Sequence, residues 1–188
     1  MMEKESRRVK MTKMLLNESF LHFLAEKPLP RITIKEICEY ADINRSTYYA
    51  YYTDPYDQLR KLEAELLIDM SAYIDGITSD DPQDSQRFYQ SIKGFLDYIK
   101  SKKHAFQVLL GSAGDFNLQK DILTFFAERI LEIDFQAGTG DMDSLQEYIF
   151  VSNGSFGLIY YWLMDHGEDT TERLAWRITS FTEAFRTR

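Results

Sequence analysis

The 188-residue chain has one cysteine, three histidines, four prolines and nine glycines. Each scarcity closes off a class of protein. With Cys38 alone, no intramolecular disulfide can form, and nothing hints at an oxidising compartment. His22, His104 and His166 lie far apart, none with a second His or Cys at metal-ligand spacing. There is no Walker loop, no Gly-x-Gly-x-x-Gly and no Gly-x-Ser-x-Gly. With no catalytic constellation, the chain reads as a non-enzyme with no cofactor and no metal. No stretch approaches ~18 consecutive apolar residues, and residues 1–8 lack a signal-peptide core, so a cytoplasmic protein without membrane contact is expected.

What is abundant is aromatic: 13 Phe, 12 Tyr and 2 Trp make up 14% of the chain. The net charge of −8 is unevenly spread. Residues 1–60 carry ten Lys and Arg against nine Asp and Glu, and residues 61–188 carry twelve against twenty-one. An acidic body repels phosphates, so a polyanion would be met only by the front of the molecule. Apolar residues recur at helical spacing, and no stretch sustains a two-residue alternation. The expectation is an all-α fold of about nine helices. A first helix over 4–27 has Leu16, Phe20, Phe23 and Leu24 as its core stripe, and Pro28 and Pro30 stop it. Thr33 with Glu36 forms a capping box for a helix over 34–41 that buries Ile34, Ile37, Cys38 and Ala41. Asp42-Ile43-Asn44 makes a turn, and Asn44 caps a short helix over 45–51. Asp54-Pro55 opens a helix through Leu59, Leu62, Leu66 and Met70. The polar stretch from Gly76 to Asp84 reads as a linker. Further helices are expected near 85–101, 103–112, 115–135, 142–166 and 170–186, with a loop over 138–143.

Two short helices about a three-residue turn outline a helix-turn-helix. The second helix of such a pair lies in the major groove and needs short polar and cationic groups at its start. Arg45, Ser46 and Thr47 supply them. An arginine there can donate two hydrogen bonds to guanine, and tyrosine hydroxyls are phosphate donors indifferent to sequence. Ile32-Thr33-Ile34, Ile37, Ala41, Ile43-Asn44, Thr47-Tyr48-Tyr49 and Tyr52 together resemble the N-terminal domain of the TetR family, and the likeness runs over about residues 10–62. The resemblance implies that Lys35, Arg45, Ser46 and Thr47 reach bases or nearby phosphates, and that Thr33, Tyr49 and Tyr51 contact phosphates. It implies that Tyr48 and Tyr52, at positions usually held by Leu or Phe, pack inward. Three residues depart from the pattern, one of them Tyr51, which stands for a common histidine and keeps a polar tip. Asp42 stands for the usual turn glycine, and Pro55 stands where a phosphate-gripping lysine is common.

The helix over 142–166 carries two apolar stripes. One is Leu145, Ile149, Ser152, Phe156, Ile159 and Leu163; the other is Tyr148, Val151, Ser155, Leu158 and Trp162. One stripe suffices for a surface helix, so the second implies a partner. The last helix adds Leu174, Ile178, Phe181 and Phe185, and Gly154 and Gly157 permit close helix approach. By the resemblance, these two helices form a homodimer, with Ile149, Ser152, Phe156, Ile159, Leu163, Leu174, Ile178 and Phe181 in its interface. Between head and dimer helices lies an aromatic region. There Phe95, Tyr98, Phe106, Phe125 and Phe126 are candidate contacts for a small hydrophobic or aromatic effector. The division expected is a DNA-binding domain over 1–53, a connecting helix over 54–76 and a regulatory and dimerisation domain over 77–188. The implied function is a repressor released by its effector from a palindromic operator on double-stranded DNA. The alternative is a TetR-like coactivator that works through protein contacts with little DNA binding.

Overall fold

The computed structural model describes residues 6–79, 85–111, 118–124, 142–166 and 169–186. Every regular element among them is helical. The helices are α1 (Arg7–Glu26), α2 (Ile34–Ala41), α3 (Arg45–Tyr49), α4 (Pro55–Ser79), α5 (Ser85–Ser101), α6 (Lys103–Leu110), α7 (118–124), α8 (Met142–Tyr161) and α9 (Thr171–Arg186). A 3-10 turn spans Leu29–Arg31, and a π turn over Trp162–His166 extends α8. No helix among the described residues is long and apolar enough to cross a membrane. The chain divides into two compact units, Met1–Leu66 with Val108–Asp115, and Leu67–Gln107 with Phe116–Arg188.

In the first unit, Ser6 caps α1 by accepting from the Val9 N–H at 3.3 Å. Leu16, Phe20 and Leu24 are buried as the spacing requires, whereas Phe23 is half-buried against Tyr40. The α2 capping box closes on both sides. α2 buries Ile37 and Cys38, and leaves Ile34 and Ala41 half-buried. It ends at Asp42 in the left-handed conformation, φ 54° and ψ 45°. Asp accepts this region more readily than most residues, so it can stand where glycine is usual. Asn44 occupies the α3 cap position through its carbonyl, which accepts from Thr47 and Tyr48. Its side chain makes no cap bond, and α3 ends at Tyr49 rather than Tyr51. At the start of α4, Asp54 Oδ1 accepts from the Asp57 N–H at 2.8 Å, and Asp57 Oδ2 accepts from the Thr53 N–H at 3.0 Å. Leu59, Leu62, Leu66 and Met70 are buried along α4. The helix runs through Gly76 to Ser79, where a linker was expected. One mid-helix glycine costs about 1 kcal/mol, too little to end a helix with no proline before Pro82.

In the second unit, α5 packs along α9 and α8 packs on α9. Their core is Phe88, Ile92, Leu96, Leu174, Ala175 and Ile178, with Tyr89, Leu158, Ile159 and Trp162 packed against it. A polar clasp fixes the pairing. The buried Thr171 hydroxyl donates to Asp97 Oδ1 at 2.7 Å, and Lys93 Nζ donates to Asp97 Oδ2 at 2.6 Å while pairing with Glu172 at 3.2 Å. The π turn is held from two sides: Gln107 Nε2 donates to the Leu163 carbonyl at 2.7 Å, and Trp162 Nε1 donates to the Asp169 carbonyl at 2.7 Å. The loop expected over 138–143 lies mostly, and the helix expected over 115–135 partly, outside the described residues.

Candidate nucleic-acid interface

The surface formed by α2, its turn and α3 gathers most of the expected contact residues. Tyr48 is fully buried and Tyr52 is nearly so, which leaves the opposite side of α3 to solvent. There Arg45, Ser46 and Tyr49 are exposed and Thr47 is half-buried. Tyr49 stands edge-on to Tyr48, with ring centroids 5.9 Å apart, and is 59% exposed. Lys35 of α2 and Arg45 of α3 line the same open cleft, about 310 Å³, together with Glu39 and Asn44. Lys35 pairs with Glu39 at 3.7 Å, both strongly exposed. Such a surface pair is worth well under 1 kcal/mol, so the ammonium can be transferred to a phosphate at little cost. No carboxylate among the described residues forms a salt bridge with Arg45.

Thr33 plays a different part. Its hydroxyl donates to Glu36 Oε2 at 2.8 Å and accepts from the Glu36 N–H at 3.3 Å, while its own N–H donates to Glu36 at 3.0 Å. Its proton is committed to the cap. Glu36 in turn accepts from Lys27 Nζ at 2.6 Å. That bond, and then the bonds from Thr33, lower the Glu36 carboxyl from 4.5 to about 2. Tyr51 is half-buried beneath Lys13, whose Nζ lies 6.0 Å from the ring centroid, and its carbonyl accepts from Lys61 Nζ at 2.8 Å. Lys61 also bonds Asp57 at 3.0 Å, and Arg60 pairs with the same carboxylate at 3.5 Å. Pro55 is thus flanked by Asp54 and Asp57, an acidic helix start where the resemblance implies a lysine. Cys38 is buried, and burial pushes its thiol up, consistent with a packing role.

The expected dimer residues divide. Ile149 and Phe181 are exposed, and Ser152 and Phe156 are half-buried. Leu163, Leu174 and Ile178 are 1%, 2% and 3% exposed, buried in the protomer's own core, and Ile159 packs against that core too. Leu163, Leu174 and Ile178 are therefore spent inside the chain's own core, while Ile159 keeps part of its side chain exposed. Leu163 lies in the π turn that follows α8, where the α-helical spacing no longer holds, and Leu174 and Ile178 face α5 in the core of the second unit. Instead the outward apolar side chains are Phe150, Tyr160 and Tyr161 on α8 and Trp176 on α9; Phe150 and Trp176 are 64% and 63% exposed. Trp176 lies off the Leu174–Ile178 stripe, and an off-stripe aromatic is the sequence signal that would have found it. The side chains of Leu145, Tyr148 and Phe185 are not among those described.

Of the expected effector contacts, Phe95 and Phe106 are buried. Tyr98 stacks on Tyr73 at 5.2 Å, packs edge-on to Phe106 at 6.2 Å and donates to Asp69 Oδ2 at 3.1 Å. Burial, and then the neighbouring Asp69 charge, push the Tyr98 phenol up. Phe125 and Phe126 lie outside the described residues.

Fold and surface together define an all-helical protein with a capped helix, a tight turn and a polar second helix on its N-terminal unit. A TetR family model, described as "Transcriptional regulator C-terminal region", matches residues 86–184, more than half of the chain. The chain belongs to the TetR family of transcriptional regulators, whose members are regulators and not enzymes. Solved structures share the fold at low identity. One described as a TetR-family transcriptional regulator from Syntrophomonas wolfei has a TM-score of 0.67 at 16% identity, covering 95% of this chain and 96% of its own. The fatty acid degradation regulator FadR from Bacillus halodurans has a TM-score of 0.59 at 15% identity, covering 96% of each chain. The dihydroxyacetone kinase operon activator DhaS has a TM-score of 0.59 at 14% identity, covering 93% of this chain and 95% of its own. No curated protein matches the sequence significantly.

Proposed function

We propose that the protein is a homodimeric, DNA-binding repressor that reads a palindromic operator through α3 and leaves it when a small hydrophobic or aromatic effector binds the C-terminal unit. The observation that carries the reading is the two-sided α3. Tyr48 anchors it inward, while Arg45, Ser46 and Tyr49 face solvent beside Lys35. Arg45 is the base reader, with Ser46, Thr47 and Lys35 beside it. Tyr49 and Tyr51 take phosphates. Thr33 is first a helix cap and contributes to DNA by holding α2 in place.

Homodimerisation is supported by α8. Gly154 and Gly157 lie in mid-helix, and a Cβ built on either meets nothing within 4 Å. Each glycine costs about 1 kcal/mol against alanine. Packing inside the protomer gives no reason to bear that cost, but close approach of a second α8 does. The exposed Ile149, Phe150, Tyr160 and Tyr161 on the same helix are the apolar surface such a contact would bury. On this reading the division is a DNA-binding domain over 1–53, a connecting helix over 54–76 and a regulatory and dimerisation domain over 77–188.

The test is titration against the DNA upstream of the protein's own gene. Binding should weaken by roughly a thousandfold or more between about 50 and about 200 mM salt if six or more phosphates are contacted. No binding at the lower salt would refute the repressor reading. One observation favours a second reading, a coactivator acting through protein contacts: the acidic Asp54-Pro55-Tyr56-Asp57 start of α4, with Lys61 tied to Asp57. A relative of the same fold, DhaS, is named an operon activator.

A further inference from the structure

Three polar tethers in the N-terminal unit converge on one turn of α1. Ser19 Oγ donates to the Ile37 carbonyl of α2 at 2.9 Å. The Tyr52 hydroxyl, just beyond α3, donates to Asn17 Oδ1 at 3.1 Å. Gln58 Nε2, from α4, donates to the Leu16 carbonyl at 3.0 Å and to the same Asn17 Oδ1 at 3.1 Å. Gln58 and Ser19 are fully buried, and Tyr52 is 3% exposed.

Stability alone does not account for Gln58 and Tyr52. A buried amide is costly to desolvate, and an apolar residue of its shape is often neutral or better. Gln58 is not even fully satisfied, since its Oε1 has no partner among the described residues. Tyr52 occupies a position that the TetR pattern fills with Leu or Phe, so its hydroxyl is additional, and it is spent on Asn17. The arrangement supplies direction. Hydrophobic burial is non-directional, so apolar contact alone sets the register of α1, α3 and α4 less sharply than a directional bond does. A single carboxamide oxygen that accepts from both α4 and the end of α3 supplies such bonds. Its two lone pairs are both used, and displacement of either helix breaks a buried bond.

We propose that Gln58 is a positioning residue: through Asn17 and Tyr52 it registers α3 to α1 and α4, and so sets the pose in which α3 meets DNA. This rests on the DNA-binding reading above. Gln58→Met removes the bonds from α4 to Asn17 and Leu16, and Tyr52→Phe removes the bond from the end of α3 to Asn17, each at nearly constant volume. Three quantities are read on the full chain: melting temperature, amide hydrogen exchange at residues 45–52 without DNA, and the ratio of operator to non-specific DNA affinity. The expected result is an unchanged or raised melting temperature, about tenfold faster exchange over 45–52, and an affinity ratio about tenfold lower. The double variant should depart from additivity in exchange and affinity ratio, because the two bonds share the one acceptor Asn17 Oδ1. Wild-type exchange and ratio in both variants, or fully additive effects, overturn the proposal. Should the wild-type protein bind no DNA, the DNA-binding reading fails separately, and exchange without DNA still decides the tether. Should Gln58→Met not fold, Tyr52→Phe, which removes one oxygen, carries the same test.

Discussion

In the homodimer proposed above, replacing Gly154 and Gly157 by alanine should move the single chain and the dimer in opposite directions. Within the protomer, neither new methyl meets an atom within 4 Å. Each substitution therefore adds only helix propensity, about 1 kcal/mol, or about 2 kcal/mol for the pair. For a chain of this size that is worth roughly 4–8 °C in melting temperature. Across a dimer whose α8 helices cross at these glycines, four methyl groups enter a close contact. Overpacking costs about 1–3 kcal/mol, which weakens association by roughly ten- to a hundredfold. Sedimentation equilibrium gives the dimer constant, and thermal melts over a range of protein concentrations give the rest. The double variant should melt higher than wild type when dilute and monomeric, and lose that advantage when concentrated, because dimerisation stabilises the wild type by mass action. Association as tight as wild type, with a more stable protomer, would refute the reasoning, because the glycines would then face solvent in the dimer.

Arg45→Ala should cost roughly 1–3 kcal/mol on the operator and relax preference at one base pair, whereas Tyr49→Phe should weaken all DNA sequences alike; fluorescence anisotropy on matched and scrambled duplexes separates the two. Tyr48→Phe should be neutral or stabilising by about 1 kcal/mol in thermal melts, because the buried Tyr48 hydroxyl has no partner among the described residues. Acid should find the α2 cap. The Glu36 carboxyl is lowered from 4.5 to about 2 by its bonds to Lys27 and Thr33. A depressed folded value means that the contribution is complete above about 4.5 and is lost as pH falls toward about 2. Urea unfolding across that window should show wild type declining more steeply than Glu36→Gln, and parallel slopes would remove Glu36 from the account.

What the sequence made legible was local. The capping box at Thr33 and Glu36, the Asp54-Pro55 start and the α5 limits depend on residues three or four positions apart, and such chemistry survives folding largely unchanged. Tyr48 and Tyr52 packed inward as the family pattern implied. Orientation was not legible. Periodicity shows that α8 has two apolar stripes, but not which side of a helix meets its neighbour, and Leu163, Leu174 and Ile178 are core. Nor did pattern reveal the Asn17, Tyr52 and Gln58 tether, because its members lie 35 and 41 residues apart and only the fold brings them together. Gly76 was misleading because a single breaker within a strong helical pattern is outvoted by its neighbours.

Hydroxyl-radical footprinting of the protein on its own upstream DNA tests the central claim most directly. Two protomers reading through α3 should protect two segments on one face of the duplex, centred one helical turn, about 34–36 Å, apart or a multiple of it. The two segments should be related by the operator's dyad. A single protected segment, protection without sequence register, or none at low salt would contradict the account.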